Sequence, residues 1–311
     1  MNRPSILFLN IIFLIFFSIN SNATVFTAVS NGDWDQSSVW DQGSVPGLSD
    51  TVVINGYKVD IDNNTGNVDV KRIVLLNTNE NATTNLNITG SITVAISGDL
   101  IADLEDKTVG IELNVLGGAI LNLSGHLTFT RYNSTGNNNE LLINVANASR
   151  INVSGNFTFD YQDQNATENF DEILLDDTAI LTVTGHTYIY MKGGADFTFT
   201  LLTDAQAILN ANLEVEVTGG DQTVFTAKND GHFQVSGNFN VTNSGSTTHT
   251  KIHADGSHGK FSIGGDLTLK STAADKITFL EVSKSNCVLL IKVFTILMYA
   301  YKMGQKTFHK E

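Results

Sequence analysis

Acidic side chains come closest to a catalytic pattern in this sequence. Two adjacent pairs, Asp171/Glu172 and Asp176/Asp177, are the places where the paired carboxylates of a glycosidase would be sought. Neighbouring residues of a β-strand point to opposite faces, so neither pair addresses one glycosidic bond unless it lies in a loop. The sequence therefore predicts no catalytic residue.

The histidines are the next residues that could do chemistry, as metal ligands. His126 and His186 belong to repeats two coils apart, about 9.6 Å at the spacing of parallel strands, whereas zinc needs nitrogen ligands at about 2.1 Å. His249, His253 and His258 fall in HTKIHADGSHG, where no cysteine or carboxylate stands at the spacing that would complete a ligand set. We therefore predict a hydrogen-bonded column through the first two histidines, an exposed loop around the other three, and neither a metal site nor a cofactor.

One segment resembles a calcium-binding loop. Residues 60–66 read DIDNNTG, but the glycine falls one place late and Lys71 stands where a bidentate glutamate belongs. A weak Ca²⁺ contact stays open at this loop.

A repeat must position all of these residues, because versions of the stretch NVSGNFTF at 152–159 return throughout the chain. The units share a central glycine: Gly98, Gly125, Gly155, Gly185, Gly237 and Gly265. The gap of 52 residues between Gly185 and Gly237 equals two units, and Ala211 in AILNANLEVEV takes the place of the missing glycine. The sequence therefore contains seven units.

Each unit alternates apolar and polar residues around the glycine. The positions four and two residues before it are apolar: Val94/Ile96, Leu121/Leu123, Ile151/Val153, Leu181/Val183, Phe233/Val235 and Phe261/Ile263. Apolar residues resume two and four positions after it: Leu127/Phe129, Phe157/Phe159, Phe239/Val241 and Leu267/Leu269. This period of two predicts strands with one buried face. By parity the glycine points inward, and we expect it at a crowded corner where a side chain would collide with the core.

A further apolar run gives each unit three short strands in 26 to 30 residues. This pattern predicts an all-β fold, a right-handed parallel β-solenoid (β-helix) of about seven coils with an N-terminal cap. A meander or sandwich explains the constant glycine register less well, because hairpins would reverse alternate strands. The residues after the glycine would form an outward column, one per coil: Asp99, His126, Asn156, His186, Asn238 and Asp266.

The N-terminus predicts export. Arg3 precedes an apolar run from Ile6 to Ile19, and small residues end at Ala23, which is typical of a cleaved secretory signal over residues 1–23. The run is too short to span a bilayer. We therefore expect a protein that is secreted or held on the outer cell surface, with no transmembrane span.

Charge argues against nucleic acid as a partner. Residues 24–283 hold 31 Asp or Glu against 12 Lys or Arg, a formal charge of −19 that repels polyanions. The single cysteine, Cys287, lies outside this segment, so the segment has neither a disulfide nor a thiolate metal site. Stability must come from packing and backbone hydrogen bonds.

The segment before the repeats, within residues 24–70, is predicted to be the N-terminal cap and first coil. It contains both tryptophans, Trp34 and Trp40, which would cover the open apolar end of the solenoid. Its motif residues are Trp34, Trp40, Gly43, Pro46, Asp50, Val52, Ile54, Gly56 and Val59. This string resembles the start of large exported proteins of Gram-negative bacteria that use type IX secretion, and from Pro46 to Val59 it is similar to the eukaryotic eight-glycine domain. The resemblance implies an extracellular or outer-surface solenoid, often adhesive, and assigns no catalytic residue.

Residues 284–311 depart from the repeats that fill residues 71–283. They hold five lysines and one acidic residue, and the apolar stretch Cys287–Tyr301 is interrupted by Lys292. A spanning helix needs about 20 residues, more than this stretch offers. Two interpretations stay open: an amphipathic helix that caps the last coil, or a reading frame that slipped near Ser283 in a longer gene.

Two classes of function fit these features. The first is a non-catalytic structural or adhesive module whose outward Asn, Thr and Asp columns contact surface polysaccharide or other copies of the chain. The second is a β-helix enzyme, a lyase or hydrolase, that binds or degrades polysaccharide. Such an enzyme needs a groove walled by long loops with clustered charged or aromatic side chains. The short loops and scarce arginines favour the non-catalytic module.

Overall fold

Two parallel sheets wind around one apolar core in this protein. The computed structural model describes residues 23–78, 82–105, 109–132, 140–162, 170–192, 196–219, 222–245, 249–255, 258–271, 277–282 and 288–298. Within these ranges the chain is mostly strand, with one 3₁₀ turn at Ser37–Val39. Strands of successive turns pair in parallel and in register. The predicted all-β parallel solenoid is confirmed.

Each full turn supplies three strands. The first strands are β5 (Val68–Val70), β8 (Thr93–Ile96), β11 (Ile120–Leu123), β14 (Arg150–Val153), β17 (Ile180–Val183), β20 (Gln206–Leu209) and β23 (His232–Val235). The second strands are β6 (Arg72–Asn77), β9 (Leu100–Glu105), β12 (Leu127–Tyr132), β15 (Phe157–Tyr161), β18 (Thr187–Met191), β21 (Leu213–Val217) and β24 (Phe239–Asn243). The third strands are β7 (Thr84–Thr89), β10 (Ile111–Leu116), β13 (Leu141–Val145), β16 (Phe170–Leu175), β19 (Asp196–Leu201), β22 (Gln222–Lys228) and β25 (His249–Asp255).

The turns near the two ends are built differently. At the N-terminal end, β1 (Val25–Thr27) and β3 (Thr51–Asn55) lie in line with the second strands, and β2 (Gly32–Asp33) and β4 (Lys58–Ile61) with the third. At the other end β26 (Lys260–Ser271) covers the first and second positions, and β27 (Ile277–Val282) the third. First and second strands form one sheet, and third strands form the other.

About eight turns of this three-strand pattern lie between β5 and β27, one more than the seven predicted. The extra turn is the one formed by β5, β6 and β7. Its corner position is occupied by Lys71, whose carbonyl accepts a hydrogen bond from the N–H of Gly98 at 2.8 Å. The repeat was recognised in the sequence by its central glycine, and this turn has Lys71 at that position.

The core consists of the inward side chains predicted from the period of two. All the apolar residues flanking the repeat glycines are buried, as are the facing residues of the third strands. Phenylalanines stack along the solenoid, for example Phe129 on Phe159 with ring centroids 6.3 Å apart. Like residues therefore lie on like residues from one turn to the next.

The repeat glycine does not point into the core, which corrects the predicted inward parity. Gly155 is half-buried, in the bend between β14 and β15. A Cβ built on it would lie 2.5 Å from the carbonyl oxygen of Gly125 and 2.8 Å from Nδ1 of His126, both in the preceding turn. The N–H of Gly155 donates to that carbonyl at 2.9 Å. Glycine is required because successive bends stack closely, not because the core is crowded.

A second corner, between the third strand and the next first strand, was not recognised from the sequence. Two consecutive residues there have positive φ: Gly117/Gly118, Asn147/Ala148, Asp177/Thr178, Thr203/Asp204 and Asn229/Asp230. Their backbones stack as well, since the N–H of Ala148 donates to the carbonyl of Asp177 at 2.8 Å and that of Thr178 to Thr203 at 2.9 Å. Gly, Asn and Asp tolerate this conformation best, which explains their recurrence at the corner.

Both tryptophans lie in the core beside the first turns. Trp34 and Trp40 are buried, with ring centroids 5.0 Å apart at 70°. The indole N–H of Trp40 donates to the carbonyl of Trp34 at 2.8 Å, which satisfies the one polar group of that ring. Both indoles are thus part of the core, and their role as a cover of the N-terminal end stays a prediction.

The C-terminal segment continues the sheet. Residues 288–298 form β28 (Val288–Met298), which pairs in parallel with β26. The interpretation of this segment as an amphipathic helix is therefore wrong for residues 288–298. The slipped reading frame stays a prediction, and residues 1–22 and 299–311, which include most of the predicted signal, lie outside the described residues.

Candidate functional site

The first acidic pair splits across the sheet, as strand geometry requires. Asp171 is buried, whereas Glu172 is half-buried on the outer face of β16. Burial raises the pKa of Glu172, and the nearby Glu140 carboxylate adds to this increase. Because the two carboxyl groups lie on opposite faces, they cannot act together on one bond.

Asp171 instead forms a buried ion pair with Arg131. The Arg131 guanidinium lies 3.2 Å from Oδ1 of Asp171, both side chains are fully buried, and the N–H of Leu141 donates to the same oxygen at 2.8 Å. Oδ2 of Asp171 has no hydrogen-bond partner among the described residues. Burial raises the pKa of Asp171 to about 6, against the opposing attraction of Arg131. The pair fills inward positions that neighbouring turns give to Leu104 and Leu141.

The second acidic pair, Asp176/Asp177, lies in the positive-φ corner after β16. Asp177 has φ of 49°, and its N–H donates to Oδ1 of Asp176 at 2.7 Å. The Asp176 carboxylate thus holds the turn.

His126 and His186 belong to the predicted hydrogen-bonded column, which is confirmed. Oδ1 of Asp99 accepts the N–H of His126 at 2.8 Å, and Nδ1 of His126 accepts the N–H of Asn156 at 2.9 Å. Oδ1 of Asn156 then accepts the N–H of His186 at 2.9 Å. The side chains of Asp99, His126 and Asn156 therefore satisfy the backbone donor of the next turn, and this role explains why acceptors occupy the position after the glycine.

The column is interrupted where Ala211 replaces glycine. Nδ1 of His186 has no hydrogen-bond partner among the described residues, unlike Nδ1 of His126. At the equivalent position one turn earlier, Gly185, an added Cβ would lie 2.6 Å from the carbonyl oxygen of Gly155 in the turn before it. By the same repeat, a Cβ at residue 211 meets the bend at Gly185 and His186. We attribute the interruption to the methyl group of Ala211, which occupies this narrow space.

Replacing Ala211 by glycine is expected to raise the free energy of unfolding by up to about 1 kcal/mol. Regained hydrogen bonds contribute about 1 kcal/mol each, and the greater freedom of glycine in the unfolded chain offsets about 0.4 to 1 kcal/mol. Urea unfolding would show a higher midpoint at an unchanged slope. Gly125→Ala, the reverse change in an intact part of the column, should lower the midpoint, and a lower midpoint for Ala211→Gly would contradict this explanation.

The other candidate ligand clusters do not assemble among the described residues. His249 and His253 lie on β25, so the prediction of an exposed loop is wrong for them, and His258 lies 3.6 Å from Asp230. In the calcium-like segment, Oδ1 of Asp62 accepts the N–H groups of Asn64 at 2.8 Å and Thr65 at 3.1 Å. These two bonds lower the pKa of Asp62 and explain the motif as a turn.

A different group of side chains forms the most distinctive surface. Tyr188 and Tyr190 project outward from β18, with ring centroids 5.8 Å apart and ring planes 18° apart. His186 lies before them, 5.9 Å from Tyr188 between ring centroids, and Lys192 after them, with Nζ 5.8 Å from the centre of the Tyr190 ring. Alternation along β18 places Tyr188 and Tyr190 on the same face. The two ring contacts place His186 and Lys192 beside them.

Carboxylates border the two tyrosines on both sides. In the strand register Tyr190 lies between Asp160 of β15 and Glu216 of β21, and Tyr188 lies beside Glu214 of β21. Shielding from solvent raises the pKa of Tyr190, and the charges of Glu214, Glu216 and Asp160 add to this increase. Tyr188, Tyr190, Lys192, Asp160, Glu214 and Glu216 are called the tyrosine patch below.

The sequence carries a signal for this patch that was not recognised above. Counted from Gly185, Tyr188 and Tyr190 occupy the third and fifth positions, which the alternation assigns to the outer face. The same positions hold Thr128 and Thr130 in one unit and Thr242 in another. No other unit has an aromatic residue at these two positions, so Tyr188 and Tyr190 mark a surface with a separate role.

Paired aromatic rings bordered by carboxylates can bind sugars. A tyrosine ring offers a negatively polarised face to the C–H groups of a pyranose, and its hydroxyl and the neighbouring carboxylates can hydrogen-bond to sugar hydroxyls. In the part of the chain that the structure describes, no three His, Cys, Asp or Glu side chains come together to hold a metal ion. No helix of the described ranges is long and apolar enough to cross a membrane.

The chain was compared with protein-family models, curated proteins and solved structures. No protein-family model matches the chain, and neither a curated protein nor a solved structure is significantly similar to it.

Proposed function

We propose that this chain is a secreted or cell-surface β-solenoid module that binds polysaccharide without cleaving it. The observation that carries the proposal is the outward pair Tyr188 and Tyr190, bordered by carboxylates of both neighbouring turns. The apolar N-terminal segment and the similarity of residues 34–59 to exported solenoids support the location outside the cell.

Regular stacking makes the surface suited to a polymeric ligand. Register-paired strands place outward side chains of successive turns about 4.8 Å apart along straight columns. The columns beside the tyrosine patch carry short polar residues such as Thr158 and Asn240. A chain of sugars could therefore lie along the sheet and contact several turns at once.

The competing functions have less support from the described residues. The acidic pairs expected in a degrading enzyme point apart or hold a turn, as described above for Asp171 and Asp176. Symmetric self-association through the tyrosine patch would place Glu214, Glu216 and Asp160 against their own copies, and like charges across an interface are unfavourable.

Removing both tyrosines is expected to abolish retention on polysaccharide. The full chain would be screened on a panel of immobilised neutral, acidic and amine-bearing polysaccharides, with release of reducing ends measured in parallel. The wild type should be retained on at least one of them without releasing reducing ends. Tyr188→Ala/Tyr190→Ala should pass through, because it removes both ring faces on which the C–H groups of the sugars pack.

Tyr132→Ala is the matched control, since Tyr132 is an exposed tyrosine of the same sheet outside the patch. Its retention should equal that of the wild type. Turnover that disappears in Asp176→Asn or Asp177→Asn would establish the enzyme instead, and equal retention of wild type and double variant would refute the assigned surface.

A further inference from the structure

The tyrosine patch has an excess of negative charge. Three carboxylates, Asp160, Glu214 and Glu216, surround the rings, and Lys192 is the cation that the described contacts place beside them. Glu216 and Lys192 are exposed, while Glu214 and Asp160 are half-buried. The formal charge of −19 over residues 24–283 adds to the local field.

Asp160 is incompletely neutralised. Its Oδ2 accepts the side-chain N–H of Gln162 at 2.7 Å, but its Oδ1 is shielded from solvent and has no donor among the described residues. A carboxylate oxygen without a donor strongly favours a nearby cation. On the other side of the Tyr190 ring, Glu216 is positioned in the same register, so a positive group above this ring would lie between two carboxylates.

The ring of Tyr190 is itself a site for cations. Nζ of Lys192 lies 5.8 Å from its centre, within the range in which an ammonium group is attracted to an aromatic face. Lys192 sits on a long, exposed side chain and can move away when another cation binds. An ammonium group on a ligand would meet both the ring and the flanking carboxylates.

We infer that the tyrosine patch selects amine-bearing polysaccharides, such as β-linked glucosamine polymers, over their neutral N-acetylated counterparts. Sugar rings stack on Tyr188 and Tyr190, and their ammonium groups pair with Asp160, Glu214 and Glu216. This inference rests on the proposed function, because it names the class of polysaccharide for the same surface. Acidic polysaccharides are repelled by the same carboxylates.

The test compares two soluble probes that share ring and linkage and differ in charge: the β-1,4-linked hexamer of glucosamine and that of N-acetylglucosamine. Calorimetric titration of the full chain should give about tenfold tighter binding of the amine-bearing hexamer, the gain expected from three partly exposed ion pairs. Raising the NaCl concentration from about 50 mM to about 500 mM should remove most of this preference, since salt screens exposed charges.

Variants separate the charges from the rings. Glu214→Gln/Glu216→Gln should bind both hexamers with similar, weak affinity, whereas Tyr188→Ala/Tyr190→Ala should bind neither. Asp69→Asn/Glu112→Gln removes the same number of carboxylates elsewhere on the surface and should keep the wild-type preference. If this control loses the preference as fully as the patch variant, the attraction belongs to the whole surface and the inference fails.

The remaining outcomes distinguish the inference from the proposed function. Equal affinity for the two hexamers, or tighter binding of the N-acetylated one, would overturn the charge selectivity and leave polysaccharide binding standing. Binding of neither hexamer would overturn the inference as well, and the proposed function would then fall only if the polysaccharide panel also retained nothing.

Discussion

Gly155→Val is expected to lower the free energy of unfolding by about 3 kcal/mol or more, because the new side chain has no space between stacked turns. Its Cβ would lie 2.5 Å from the carbonyl oxygen of Gly125 and 2.8 Å from Nδ1 of His126. To relieve these contacts the turns must separate, which breaks the 2.9 Å hydrogen bonds from Gly155 to Gly125 and from Asn156 to His126. Urea unfolding followed by circular dichroism measures the loss.

Ser154→Val provides the matched control for this change. Ser154 precedes Gly155 in the same bend and is exposed, and the equivalent residue of the next unit is the β-branched Thr184. The control variant should stay within about 0.5 kcal/mol of the wild type. If both valines cost the same, the close approach of neighbouring bends would not be the reason for the glycine.

Arg131→Met is expected to lower the free energy of unfolding by about 3 to 5 kcal/mol at neutral pH, since it leaves the buried Asp171 carboxylate without its cation. The wild-type carboxylate already lacks a partner at Oδ2 among the described residues, and burial raises its pKa to about 6. Loss of Arg131 removes the attraction that opposes this rise, so the pKa of Asp171 should rise further in the variant.

The sign of the pH dependence follows from this raised pKa. The folded protein binds the Asp171 proton more tightly than the unfolded chain, whose aspartates have a pKa of about 3.9. Protonation of Asp171 therefore adds to the free energy of unfolding of the wild type. This contribution is fully present below about pH 4 and is lost as the pH rises through about 6. In Arg131→Met the loss extends to higher pH, so the deficit relative to the wild type should shrink between about pH 7.5 and pH 5.

A double variant tests whether the unpaired charge of Asp171 causes the loss of stability in Arg131→Met. Arg131→Met/Asp171→Leu places apolar residues where the same columns carry Leu104 and Leu141 in neighbouring turns. It should regain most of the lost stability, and it should lack the dependence of stability on pH near 6 that the Asp171 carboxyl gives the wild type. Equal deficits of the single variant at both pH values, or a double variant as unstable as the single one, would contradict the assignment.

The parallel solenoid was readable from the sequence because its causes are local and repeat. Residues such as Ile151 and Val153 before the glycine, and Phe157 and Phe159 after it, alternate with a period of two that strand geometry imposes. Their burial matches this alternation throughout. The hydrogen-bonded column through His126 was also predictable, since the same register stacks the same position in every turn.

The reason for the glycine was predicted wrongly, and the structure shows why. Parity along a strand suggested that Gly155 points inward, but the chain bends at Ser154 and Gly155, and alternation does not continue through a bend. Its closest neighbours are backbone atoms of another turn, Gly125, thirty residues away in sequence. A contact between separate turns has no local signature.

The sequence by itself determined the repeat, the inward strand faces and the acidic outer surface, because side-chain alternation and charge are properties of the linear order. Only the tertiary structure decided which residues meet across turns. Arg131 and Asp171 are forty residues apart and join in the core, and Tyr190 meets Asp160 and Glu216 because three turns share one register. These contacts depend on the exact length of every turn. The units vary between 26 and 30 residues, and the sequence does not show at which positions the longer units carry their additional residues.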